Sequence, residues 1–181
     1  FAGSRERVEI YADKLRQLCD AAGLPQEFHA HHASLSREHR DFVERRLKDG
    51  RLPTTAICTS TLELGIDIGD VTCVAQIGAP FSVASLRQRL GRSGRRAGQP
   101  AILRQYVIEA WLRPDANLAD RLRLDLVRAI AMIDLLIEED GVNVALIGGP
   151  DEADIASNIL NRLHARDGVF NITVTNTTAG L

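Results

Sequence analysis

Three short runs, Thr54–Cys58, Thr72–Ile77 and Ala101–Glu109, are rich in β-branched and apolar residues and are bounded by turn signals. Runs this short and this uniformly apolar suit strands buried on both faces, the habit of a parallel sheet with helices above and below. The segments between them read as helices. Val8, Tyr11, Leu15 and Leu18 share one face of a helix from about 4 to 21, with Gly23 just past its end. Ser36 is an N-cap for a second helix through Phe42, Val43 and Leu47, stopped by Gly50. Glu27–His31 is a further short strand, and a helix over 82–90 runs into the glycines of Gly91-Arg-Ser-Gly94. Alternation of strand and helix at this spacing predicts an α/β fold.

Pro114–Asn117 interrupts the pattern. A long amphipathic helix is expected over 118–139, with Leu122, Leu126, Ile130, Ile133 and Ile137 on its apolar stripe. A βαβ-like unit follows: strand Val142–Ile147, turn Gly148-Gly149-Pro150, helix 151–165 and strand Val169–Val174. The expected organisation is thus 1–113, a helical extension over 114–140 and a small βαβ tail over 141–181. The chain opens at Phe1-Ala-Gly-Ser without a start methionine and reads as cut at the end of a strand. A gap or unpaired edge is expected in the sheet at that point, and Val142–Ile147 is apolar enough to fill it.

The net charge of −2 is unevenly spread. Residues 1–113 hold 17 Lys and Arg against 13 Asp and Glu, whereas 114–181 hold 5 against 11. Arg87, Arg89, Arg92, Arg95, Arg96 and Arg104 form a run without an acidic residue, and Lys14 and Lys48 are the sole lysines. Guanidinium groups suit bidentate phosphate contacts. A codon bias towards arginine explains the Arg to Lys ratio equally well, but not the clustering. Cys19, Cys58 and Cys73 have no metal-ligand or CxxC spacing, which fits a reduced cytoplasmic setting. Without a long apolar run, no membrane partner is expected.

Three blocks carry candidate chemistry. Thr59-Ser-Thr-Leu-Glu-Leu-Gly-Ile-Asp67 directly follows a buried strand, where ligands of parallel α/β sheets sit. Its hydroxyls and backbone N–H groups suit a phosphate, and Gly65 permits close approach; an ordinary strand-to-loop turn has the same composition. In Gln88-Arg-Leu-Gly-Arg-Ser-Gly-Arg95, arginines recur every three residues around a glycine bend. Such a bend can aim guanidinium groups at a transferring phosphoryl group, and it can equally be a solvated basic loop. Phe1-Ala-Gly-Ser-Arg5 places Ser and Arg at a helix start, a ready anion site. His29, His31, His32 and His39 read as polar loop and helix residues and not as a metal cluster.

In order and spacing the three blocks resemble motifs IV, V and VI of superfamily 2 helicases of the DEAD/DEAH type, with the flavour of the large helicase-related group. His31-His32-Ala-Ser-Leu-Ser36 and Gln76-Ile-Gly-Ala-Pro80 support the likeness, which covers roughly residues 1–138. The resemblance implies the second RecA-like domain of an ATP-dependent helicase, a parallel sheet flanked by helices. By that likeness Arg92 and Arg95 are arginine fingers, Gln88 contacts the γ-phosphate, Asp67 reaches the ribose side of ATP and Gly65 shapes its loop. Ser4, Arg5, Ser34, Thr59 and Ser60 are nucleic-acid contacts, with DNA or RNA as partner. Ala33, Ser60 and Leu64 depart from the DEAD-box pattern, which argues against a strict DEAD-box RNA helicase. The sequence contains no G-x-x-x-x-G-K-[ST] and no Asp-Glu-x-His. Mg²⁺ and the phosphate cradle are therefore expected in a partner first RecA-like domain.

Beyond Glu138 the likeness stops. Val144-Ala-Leu-Ile-Gly-Gly-Pro-Asp-Glu152 and Val169-Phe-Asn-Ile-Thr173 resemble a segment of heptosyltransferase-like glycosyltransferases. A nucleotide-sugar-binding domain, or a non-catalytic RecA-like module, is accordingly the alternative to the helicase reading. The arginine spacing over 88–95 separates them, because glycosyl transfer has no need of it.

Overall fold

The computed structural model describes residues 1–63, 65–94, 100–108, 111–137, 142–149, 151–163 and 172–175. Helix α1 spans Arg5–Ala22: the Ser4 hydroxyl accepts from the Arg7 N–H at its start, and Gly23 closes it in the left-handed conformation, φ 65°. Strand β1 (Phe28–His31) leads to α2 (Arg37–Asp49), capped by Ser36 and Gly50 as the sequence predicts. Then come β2 (Thr55–Cys58), a 3₁₀ turn over Ser60–Leu62, β3 (Val74–Ile77), α3 (Val83–Leu90) and β4 (Ala101–Ile108). The remainder is α4 (Leu118–Leu122), α5 (Leu124–Ile137), β5 (Val142–Gly149), α6 (Glu152–Leu163) and β6 (Ile172–Thr175).

The strands form two sheets. β1 and β2 pair in parallel, His31 opposite Cys58, and β3-β4-β5-β6 form the second sheet. Phe1 and Ala2 lie between them. The Ala2 N–H donates to the Cys58 carbonyl (2.8 Å), and the Ile77 N–H donates to the Phe1 carbonyl (2.9 Å). A cavity of about 710 Å³, lined by residues of both edges such as Ala56, Cys58, Val74 and Ala75, continues the slot. Val142–Ile147, expected to occupy the place beside Phe1, does not lie in this slot. β5 pairs in parallel with the far side of β4, Ala101 opposite Val142 through Ile108 opposite Gly149. An eight-residue partner offers a full ladder there, whereas the slot is flanked by four-residue strands.

Two further expectations are corrected. The single helix over 118–139 is broken at Arg123, which takes a positive φ of 48° and ends α4. The break resets the helical phase, so Ala129, Ile133 and Leu136 face the core while Leu122 and Ile130 remain 51% and 48% exposed. The tail is not a βαβ unit, because β6 runs antiparallel to β5, Leu146 opposite Ile172.

Helices cover both faces of the larger sheet, since residues at odd separations on one strand point to opposite sides. Ile77 and Tyr106 pack with Val8, Tyr11 and Leu15 of α1 and with Ile155, Ala156, Ile159 and Leu160 of α6. Val74 and Leu103 pack on the other side with Leu86, Leu90, Ile133 and Leu136. α6 thus seals α1 against the sheet and shares its core. Ile155 is fully buried, and its truncation to Ala should cost about 2–5 kcal/mol. Because the core is shared, chemical denaturation of Ile155→Ala should show one cooperative transition at lower denaturant; a separate early transition would mean that α6 packs independently.

Candidate functional site

Sheet register places three loops side by side. Ala2 bonds Cys58, and Cys58 pairs with His31, so the chain leaves three adjacent extended segments in the same direction. The loops that follow carry Ser4 and Arg5, Thr59 and Ser60, and His32 through Ser34. Arg5 Nη1 donates to Ser34 Oγ, which joins the first and third loops. Ser4, Arg5, Ser34 and Ser60 are exposed and Thr59 is half-buried. The five candidate phosphate contacts therefore follow one sheet edge, at the starts of α1 and the 3₁₀ turn and just before α2.

His31 and His32, read from sequence as polar loop residues, are both buried. The Thr61 hydroxyl donates to the His31 carbonyl (3.1 Å), and His31 Nδ1 lies 2.8 Å from Thr61 Oγ1. His31 Nε2 faces Glu44 Oε1 of α2 at 2.9 Å, and His32 Nε2 faces Glu9 Oε1 of α1 at 2.7 Å. These bonds fix the loops to α1 and α2. Among the described residues no group of three or more His, Cys, Asp or Glu side chains could hold a metal ion.

From Ser60 the chain runs back across the slot to Val71, which bridges Ser93. Donors to this crossing segment come from α3 and from Arg92 just beyond its end. Arg92 is only 8% exposed. Its Nη1 donates to the Ile66 carbonyl (2.7 Å) and its Nη2 to the Glu63 carbonyl (2.9 Å). An arginine expected to project from an exposed bend is thus turned inward on the Thr59–Asp67 loop. Arg89 supports the same loop through its side chain. Its Nε and Nη2 donate to Glu63 Oε2 (3.0 and 2.9 Å), and the Ser85 hydroxyl donates to Glu63 Oε1 (2.7 Å). Arg89 also donates to Gln76 Oε1 and stacks over the Phe1 ring, 4.9 Å from its centroid. Gln105, fully buried on β4, donates to the Gln76 and Gly78 carbonyls.

Gln88 is exposed on α3 beside this network. Gly65 has φ 77° and open space where a side chain would stand, which leaves its backbone accessible. Asp67 is exposed; it accepts from Lys48 Nζ and from the Gly69 N–H. Gly94 is required by two constraints: φ is 69°, and a Cβ there would lie 2.5 Å from the Ala101 nitrogen. Arg95 and Leu64 lie outside the described residues. Sequence reasoning gave Glu63, Gln76 and Gln105 no individual role, and it counted Arg89 among the guanidinium groups that a bend could aim at a phosphoryl group. Its one available signal was an acid isolated between Leu62 and Leu64, facing an arginine-rich helix.

The model of the helicase conserved C-terminal domain matches residues 1–97. An ATP-dependent helicase Lhr-Core from Methanocaldococcus jannaschii is 44% identical over 96 residues, 53% of this chain and 11% of that protein. The solved structure of Mycobacterium smegmatis helicase Lhr bound to ssDNA and AMP-PNP aligns with a TM-score of 0.60 and 38% identity, over 77% of this chain and 17% of that one. The C-terminal domain of the DEAD-box protein Dbp5, 17% identical, shares the fold with a TM-score of 0.50 over 89% of this chain and 79% of that one. The chain spans a small part of the Lhr relatives it matches. From the match over residues 1–97, more than half its length, the chain belongs to the helicase conserved C-terminal domain family.

Proposed function

We propose that this domain is the second motor half of an ATP-dependent helicase acting on single-stranded DNA. The observation that carries the reading is the row of three strand-end loops bearing Ser4 and Arg5, Ser34, and Thr59 and Ser60, with Arg92 bonded to the continuation of the last. Hydroxyls and N–H groups at helix starts suit phosphate oxygens, which position a strand without reading its bases. The choice of single-stranded DNA follows the ligand of the M. smegmatis helicase Lhr structure.

ATP would lie between this domain and a first RecA-like domain, which would supply the Mg²⁺ ligands and the phosphate cradle. Bound there, ATP supplies a phosphoryl group for transfer to water. On this side Gly65 and Asp67 would form the loop against the nucleotide, and Gln88 and Arg92 would face the γ-phosphate, with Arg95 assigned to the same role by sequence resemblance alone. A guanidinium has five N–H donors, and the two bonds to the Glu63 and Ile66 carbonyls use two of them. Arg92 can therefore present charge to the phosphoryl oxygens while it holds the loop, or exchange the carbonyls for them as the domains close. Either way its contribution belongs to the transition state, where the charge of the transferring group is spread over its oxygens.

Three outcomes follow. The 181-residue chain alone should release no phosphate from ATP above buffer, because arginine fingers cannot bind the triphosphate and its metal unaided; a steady rate abolished by Arg92→Ala would overturn this. In the full-length helicase, Arg92→Ala should lower single-turnover hydrolysis by roughly 10³–10⁵ with little change in ATP affinity. Arg16→Ala, at an exposed position of α1, serves as the control, and equal small effects at both would reduce Arg92 to a structural residue. Arg5→Ala should weaken single-strand binding and lower the log–log salt slope by about one. An unchanged slope would remove Arg5 from the DNA path.

A further inference from the structure

Glu63 and Arg89 belong to neither the DNA row nor the groups facing ATP, yet they connect the two. The segment Thr59–Asp67 begins with the DNA candidates Thr59 and Ser60 and, three residues on, meets α3 and Arg92 just beyond it through both halves of Glu63. Its carbonyl accepts from Arg92. Its carboxylate accepts three hydrogen bonds from α3, one from Ser85 and two from Arg89. The pair is nearly dry, with side chains 11% and 12% exposed. Taking two charges out of water is costly, and such a pair persists only where geometry and added hydrogen bonds offset that cost. Here part of the offset comes from Ser85 and from the paired groups themselves, which tie the loop to the helix carrying Gln88 and leading to Arg92. Gln76 and the Phe1 ring hold Arg89 from the sheet side, so the helix end has a fixed reference.

We infer that Glu63 is a positioning residue that couples DNA contact to the aim of Arg92. A strand seated on Thr59 and Ser60 displaces the loop, and the displacement reaches α3 through the Glu63 carboxylate. The same residue's carbonyl sets where the Arg92 guanidinium rests. Because one residue holds both ends, the loop and the arginine move as a unit. This rests on the reading of Arg92 and of the DNA row given above.

The test uses full-length helicase, oligothymidylate and saturating ATP. Single-turnover hydrolysis with and without DNA is measured together with KM for ATP and DNA affinity by anisotropy. Glu63→Ala should lower the DNA-stimulated rate by about tenfold or more, the scale of a coupling free energy between sites. KM for ATP and DNA affinity should stay within about twofold, the signature of an interaction acting in the chemical step. Glu63→Gln, which keeps one oxygen acceptor but loses the charge, should recover part of the rate. A stimulated rate within about twofold of wild type for Glu63→Ala would overturn the inference, as would a fall matched by an equal loss of ATP or DNA affinity. Arg92→Ala is run beside them. If it is fully active, the arginine reading itself fails; if it is inactive while Glu63→Ala is normal, only the coupling fails. Should Glu63→Ala unfold at the assay temperature, Ser85→Ala removes one of the three bonds, and a stimulated rate unchanged in that variant overturns the inference just as well.

Discussion

The sheet is divided between Cys58 and Val74, and what spans the division is a buried polar chain from Glu63 through Arg89 and Gln76 to Gln105. A backbone ladder would hold two strands by repeated bonds along their length. Phe1 and Ala2 provide only a short version of that ladder. The side-chain network does the rest, and it does so directly beneath the loop that carries Thr59 through Asp67. Each polar group left unpaired in such a dry place is costly, and of this chain of side chains only Gln105 Oε1 lacks a partner, so the network tolerates few arrangements. That restriction is what gives the loop a defined path across the slot.

The same restriction explains why Arg92 turns inward. The loop crosses from the end of β2 to Val71, and Arg92, two residues beyond α3, donates to the Glu63 and Ile66 carbonyls along its path. A residue suited to phosphate is thereby given a structural task in the same position. Both uses draw on one property, a planar fork of strong donors that never loses its charge.

The tail enters the architecture through packing and not through the site. β5 lengthens the sheet beyond β4, and α6 presses Ile155, Ile159 and Leu160 against α1. α1 in turn begins with Ser4 and Arg5, so the position of that helix start depends on a core to which α6 contributes.

Much of this was legible along the chain. Caps such as Ser4, Ser36, Gly23 and Gly50 act through neighbours a few residues away, and apolar periodicity reports the local face of a helix, so the elements from α1 to β4 follow from sequence. The order of the three blocks was legible too, because family likeness is a property of the linear text. The break at Arg123 was not, since a left-handed residue inside an amphipathic stripe leaves no local mark. Nor was the placement of β5, which was decided by the length of the available edge on β4. The pairing of Glu63 with Arg89 spans 26 residues, and that of His31 with Thr61 spans 30. Sequence alone determined which groups this protein possesses and in which local elements they stand. Which of them meet was decided only by tertiary structure, because burial penalises an unpaired polar group and the partners available to it lie on different strands and helices.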